Sequence, residues 1–112
     1  MRISVVVIGL GVALFAGTAL AAADLKAGEK AATVCAACHG IDGNRPLDAS
    51  YPKLGGQYAD YLVKALKDYR SGARVNVIMN GQAALLKDQD IDNVAAWFSA
   101  QSGQIRDLRD VK

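Results

Sequence analysis

The sequence predicts an all-α domain, and three observations point that way. Two stretches repeat apolar residues at a helical period, a third is rich in helix-forming alanine and lysine, and almost nothing alternates as a strand would. Val75-Asn76-Val77-Ile78 could pair over a few residues, but no other segment alternates to partner it.

The chain opens MRISVVVIGLGVALFAGTALAAADL, in which Arg2 precedes 21 residues, Ile3 to Ala23, without a charged side chain. Two sets of small residues, Ala19-Leu20-Ala21 and Ala21-Ala22-Ala23, fit A-x-A cleavage. A basic start, an apolar middle and a small-residue exit make a secretory signal over residues 1–23, cut after Ala21 or Ala23. The rival reading is an uncleaved anchor, since about 20 apolar residues span a bilayer. The many glycines and alanines and the small-residue exit favour cleavage, which leaves residues 24–112 as one domain without a membrane span.

The 112 residues carry a formal charge of +2, and without Arg2 twelve basic residues face eleven acidic ones. With no basic run and no basic patch interleaved with aromatics, nucleic acid is not an expected partner. A mature chain of about 90 residues buries a modest share of its surface and often needs a staple.

The first helix is expected over Leu25 to Ala37, with Leu25, Ala31, Val34 and Cys38 loosely on one side. The second starts near Gln57. Its apolar residues Tyr58, Tyr61, Leu62, Ala65, Leu66 and Tyr69 fall at offsets 0, 3, 4, 7, 8 and 11, and Arg70-Ser71-Gly72 ends it. The third runs from Asp88 to Gln101 with Ile91, Val94, Ala95 and Phe98 on one face, Asp88 as N-cap and Gly103 as stop. Residues 40–46 have turn chemistry, and Ala73 to Lys87 reads as a loop that contains Met79.

Both cysteines and the one histidine of the chain sit in VCAACHG, residues 34–40. Cys35 and Cys38, three apart, stand on one side of a helical turn, within reach of the same flat object. His39 points elsewhere. Two thioether bonds at the edge of a haem and an imidazole to its iron fit that arrangement, and C-x-x-C-H is read as c-type haem attachment. A structural zinc site wants four Cys or His ligands, and this chain has three. A thioredoxin-type motif wants a βαβ setting. A disulfide across two residues closes a small strained loop that stabilises little.

A six-coordinate iron needs a second axial ligand, and no other histidine exists. Of two methionines one is Met1, which leaves Met79 as the thioether of the mature chain. Methionine usually fills core gaps, but the neighbours Asn76, Asn80, Gly81 and Gln82 are polar or small. A thioether favours Fe(II) and raises the potential. With both axial positions filled no site stays open for a substrate, so electron transfer is expected rather than catalysis.

The segments VCAACHGIDGN, YPKLGGQYADYLVKALKDYRSGAR, MNG and DQDIDNVAAWFSAQ, in that order and spacing, resemble the small class I c-type cytochromes. The chain is similar to the single-haem c-553 type and to one half of the diheme c-four type, over Leu25 to Gln101. The resemblance implies a small cytochrome c fold, three to four helices wrapped around one covalently bound haem c. Cys35 and Cys38 would be its thioether attachments, His39 and Met79 its iron ligands, and no residue would be catalytic. The resemblance further implies that the Pro52 carbonyl accepts from His39 Nδ1–H, that Leu54 packs on the haem face, and that Gly55-Gly56 let the chain turn past it. Trp97 would cross the N-terminal helix near Gly28, and Arg74 would pair with a haem propionate. Where relatives start the last helix on a serine cap this chain has Lys87, so the cap moves to Asp88.

Leu54, Tyr61, Leu62, Leu66, Val94 and Phe98 are expected to wall the haem. The function implied is a periplasmic one-electron carrier, docking transiently on membrane or periplasmic redox proteins such as an oxidase, reductase or dehydrogenase. Lys26, Lys30, Lys53, Lys64 and Lys67 could supply cations at that contact. The alternatives are a haem-bearing subunit of a larger redox complex, or a sensor or enzyme with an exchangeable axial site.

Overall fold

In the computed structural model residues 21–103 and residue 105 are described. The stretch read as an export signal lies outside the described residues as far as residue 20, and residues 21–23 have no regular structure. Five helices follow: α1 (Leu25–Ala31), α2 (Thr33–His39), α3 (Ala59–Ser71), α4 (Val77–Ala84) and α5 (Asp88–Ala100). Among the described residues there is no strand, so the all-α expectation holds while the count of three to four helices is too low.

Asp24 starts α1, its Oδ1 accepting from the amides of Lys26 and Ala27 at 2.9 and 3.0 Å. The single helix expected over Leu25–Ala37 is interrupted at Ala32 and reaches His39. There the Ala32 carbonyl is shared by the amides of Cys35 and Ala36, at 2.9 and 3.0 Å, which tightens one turn. The buried side of this pair is also different from the one expected. Leu25 and Val34 are exposed, while Gly28 and Ala32 are buried. Backbone proximity is the reason: a Cβ on Gly28 would lie 2.1 Å from the Asn93 carbonyl oxygen and 3.0 Å from Trp97 Cβ. A large residue cannot sit where α1 crosses α5, so small ones take the contact. Trp97 does lie at this crossing, and its indole N–H donates to the Ile41 carbonyl at 3.2 Å. The buried Asn93 Oδ1 accepts from the Asp24 amide at 2.8 Å and from Gln89 Nε2 at 2.9 Å, tying both helix starts together.

α3 begins two residues after Gln57 and ends on Gly72, whose left-handed backbone (φ 84°, ψ 2°) is open to glycine without strain. The expected loop over Ala73–Lys87 contains α4, and Met79 therefore sits on a helix. The possible strand at Val75–Ile78 is absent: Asn76 is extended, and its Oδ1 caps α4 by accepting from Ile78 and Met79 amides at 3.1 and 3.0 Å. An Asn just ahead of a helix is an N-cap signal, overridden in the sequence reading by the β-branched Val75, Val77 and Ile78.

At α5 the N-cap is Lys87, not Asp88. Asp90 Oδ2 accepts from the Lys87 amide at 3.0 Å, and Asp88 is drawn off into an ion pair with Arg70 at 2.5 Å. Gly103 does not stop the helix, which ends at Ala100 on an extended Gln101. Its glycine is required instead by close approach, since a Cβ there would lie within bonding distance of the Gly55 carbonyl. Ala32, Leu62, Val94, Ala95 and Phe98 form the core cluster, with Leu54, Leu66 and Trp97 packed against it. α5 is the central helix, contacting α1 and α3, while α4 packs on α3.

Candidate functional site

α2 and α4 share no contact, and a cavity of about 690 Å³ lies between them. Its lining includes Cys35, Cys38 and His39 from α2 and Met79 from α4, so the four residues singled out in the sequence face one space. Leu54, Tyr61, Leu62, Leu66, Val94 and Phe98 all wall it, as do Pro52, Lys53 and Arg74. Gly55 and Gly56 do not: Gly55 is packed against the Asn44 side chain, where a Cβ would come to 2.5 Å. Lys26, Lys30, Lys64 and Lys67 also lie outside the lining, and Lys64 pairs with Asp68 at 2.6 Å.

His39 is 6% exposed. Its Nδ1–H donates to the Pro52 carbonyl at 2.8 Å, which places the proton of the neutral ring on Nδ1 and leaves Nε2 with a free lone pair. The carbonyl reaches it because residues 40–56 fold back over the end of α2. The Leu47 amide bonds to the Cys38 carbonyl at 2.9 Å and the Leu54 amide to the Gly43 carbonyl at 2.7 Å. Gly40 and Gly43 take positive φ values of 86° and 72° in that return. Tyr51 stands edge-on to the imidazole, centroids 6.2 Å apart and planes at 79°.

Both cysteines are free thiols, partly buried. Burial pushes the Cys35 thiol above its ordinary pKa, its own helical amide working against that shift and Cys38 adding to it. A sulfur there is disfavoured as a thiolate and at ease as a neutral thioether. Among the described residues no three His, Cys, Asp or Glu side chains converge closely enough to hold a metal ion between them. The donor set therefore fits a flat prosthetic group. Two sulfurs, an imidazole nitrogen and a thioether border the space such a group would fill, within mainly aliphatic and aromatic walls.

At the rim Arg74 lies over the Tyr69 ring, 4.8 Å from its centroid, and donates from Nη1 to the Tyr61 hydroxyl at 3.4 Å. The Tyr61 hydroxyl, more than the nearby Tyr69 ring, holds the guanidinium above its ordinary pKa. A fixed cation thus stands at the cavity edge, where an acidic substituent of a bound group would meet it. Sequence reasoning missed Tyr51 and Asn80. Tyr51 precedes Pro52 directly, and its aromatic ring beside a turn was a usable signal. Asn80 Nδ2 donates to the Tyr69 and Arg74 carbonyls, 11 and 6 residues back, which left no local signal.

Helices enclosing one cavity, with paired thiols, a tautomer-fixed imidazole and a thioether facing it, define an all-α haem protein. The cytochrome c family model matches residues 25–102, and the chain belongs to that family. Members bind covalent haem c and carry electrons. Cytochrome c4 of Stutzerimonas stutzeri is 42% identical over 98 residues, covering 80% of this chain and 46% of that protein. Cytochrome c-554(548) of Halomonas halodenitrificans is 43% identical over 83 residues, 71% of this chain and 99% of that one. The crystal structure of reduced recombinant cytochrome c4 from Pseudomonas stutzeri superposes with a TM-score of 0.69 at 40% identity, over 75% of this chain and 48% of that chain. This chain spans about half the length of the cytochrome c4 proteins it matches.

Proposed function

We propose that the protein is a periplasmic monohaem cytochrome c that passes single electrons between larger redox proteins. The observation that carries this reading is one cavity bordered by Cys35, Cys38 and His39 on α2 and by Met79 on α4, two helices that do not touch. Cys35 and Cys38 would hold the haem by thioether links, and His39 Nε2 and Met79 Sδ would ligate its iron. Bound there, the haem supplies an iron that takes up and gives off one electron.

The chain's own residues set the terms of that exchange. His39, held by Pro52 and flanked by Tyr51, presents the same lone pair in both oxidation states. Leu62, Leu66, Val94 and Phe98 keep water from the metal, which limits reorganisation of charge when an electron arrives. Two protein ligands would leave the iron no open position, which favours a carrier over an enzyme. Arg74 offers a charged partner for a propionate. Residues 1–23 act as a leader removed on export, and among the described residues no helix is long and apolar enough to cross a membrane.

Partners of the oxidase, reductase or dehydrogenase class dock at the cavity mouth. The run from Val75 to Leu86 has no charged side chain, and Val75 and Val77 are 86% and 89% exposed. An apolar centre of this kind suits brief contact over a small area. The five lysines do not gather at the mouth, where Lys53 alone of them lines the cavity.

Intact mass and optical spectra of the exported protein test the proposal. A mass equal to the chain from Asp24 or Ala22 plus one haem is expected, with a weak long-wavelength iron–sulfur band in the oxidised form. Added CO or cyanide leaves the spectrum unchanged on short exposure. Colourless protein, or rapid binding of either ligand, overturns it.

A further inference from the structure

Among the described helices α4 packs on α3 and on no other, so the place of Met79 depends on how α4 is fastened there. The fastening is the side-chain amide of Asn80, the next residue. Its Nδ2 donates to the Tyr69 carbonyl at 2.7 Å and to the Arg74 carbonyl at 2.8 Å. Its Oδ1 accepts from the Asn76 amide at 2.8 Å. Tyr69 lies in the last turn of α3, where its carbonyl also takes a long 3.4 Å bond from the Gly72 amide, and Asn76 is the cap of α4. The orientation of the amide is unambiguous, because the reverse one would set its oxygen against two carbonyls. One small side chain therefore joins the end of α3, the connecting loop and the start of α4.

The geometry points to Asn80 as the positioning residue for Met79, clamping the first turn of α4 so that the thioether reaches the cavity at a fixed depth. The inference rests on the reading of Met79 as axial ligand. Methionine needs such help. Its side chain has three rotatable bonds and no charge to orient it, so the backbone must be placed beforehand if the sulfur is to stay on the metal. Placement by hydrogen bonds suits an exposed helix that has few apolar neighbours to press it inward.

Imidazole titration of the oxidised haem protein tests this, because imidazole binds only when the thioether has left. Its apparent affinity scales with the fraction of molecules in which Met79 is detached. Asn80→Ala removes up to three hydrogen bonds of the clamp. It is expected to raise that affinity about tenfold or more, to weaken the long-wavelength iron–sulfur band and to lower the midpoint potential. In a Met79→Ala background the same substitution is expected to change imidazole affinity by less than about twofold, since no thioether is left to position.

An equal rise in both backgrounds, or no rise in either, overturns the inference. A separate result sinks the ligand reading itself: Met79→Ala alone leaving band and affinity as they were. Should Asn80→Ala give no haem protein, Asn80→Ser, which keeps one donor on a shorter side chain, is measured instead. It is expected to move affinity and band in the same direction by a smaller factor, and an unchanged band and affinity in that variant overturn the inference.

Discussion

The two sides of the cavity are built by different means. On the His39 side, α2 continues from α1, α1 crosses α5 so closely that Gly28 admits no side chain, and the imidazole is buried and bonded to Pro52. On the Met79 side, α4 is a short exposed helix that rests on α3 and is held by the side chains of Asn76 and Asn80. The difference shows how a fold can fix one side chain by packing and another by a few hydrogen bonds. Packing is hard to displace, since any shift opens a void or a clash. Hydrogen bonds to an exposed helix contribute about 1 kcal/mol each and exchange with water, so on the proposed reading ligand loss would begin at the Met79 side.

The largest effect is expected from breaking the feature both sides share, the bound group between them. Replacing Cys35 and Cys38 by alanine leaves α2 and α4 facing an unfilled cavity of about 690 Å³. The protein is then expected to lose most helical circular dichroism and any cooperative thermal transition. A native-like cooperative melt would show instead that the helices need nothing between them.

Next comes the His39 side alone. Gly28→Ala puts a Cβ 2.1 Å from the Asn93 carbonyl oxygen, and that backbone cannot turn aside as a flexible side chain could. A loss of about 3 kcal/mol is expected, the upper end for overpacking, read from the denaturation midpoint. The iron–sulfur band should survive in whatever fraction stays folded.

A smaller change is expected on the Met79 side. Asn76→Ala removes the α4 cap at a cost of about 1 kcal/mol. Hydrogen exchange should quicken at α4 amides from Val77 onward and stay unchanged in α2. Equal acceleration in both helices would mean that the two sides open as one unit and that the contrast drawn between them is wrong.

The smallest effect concerns the Arg70–Asp88 pair, which ties the end of α3 to the start of α5. The hydrogen bond from Arg70 holds the Asp88 carboxyl below its ordinary pKa. A depressed folded-state value means stability that is present above the unfolded pKa of about 3.9 and lost as pH falls through the folded one. Asp88→Asn should therefore lower the denaturation midpoint slightly at neutral pH, less so in high salt, and the difference from the unsubstituted protein should vanish in acid. Because Asp88 is exposed the shift is small.

How much of this was legible beforehand follows the same division. The amphipathic face of α3, with Leu62 and Leu66 inward, and that of α5, with Ile91, Val94, Ala95 and Phe98, could be read from spacing, because burial of one stripe imposes a period. Buried faces built from small residues could not: Gly28 and Ala32 carry no hydropathy signal, so the pattern points to Leu25 and Val34, which are exposed. α4 was hidden for a related reason. Eight residues that open on two β-branched aliphatics resemble a loop or a short strand, and what makes them helical is a cap at Asn76 and a docking site on α3.

The sequence by itself determined the chemistry. One C-x-x-C-H run and, beyond the initial Met1, one methionine leave few ways to bind a haem, since ligand identity is a matter of residue type and number. Tertiary structure alone decided where those groups stand. The Pro52 carbonyl, the ring of Tyr51, the Arg74–Tyr61 contact and the three bonds of Asn80 join residues up to 13 positions apart. Such contacts depend on where the backbone passes, which is set by how α1 and α3 pack on α5 and how α2 and α4 attach to them, and is not written in any one segment.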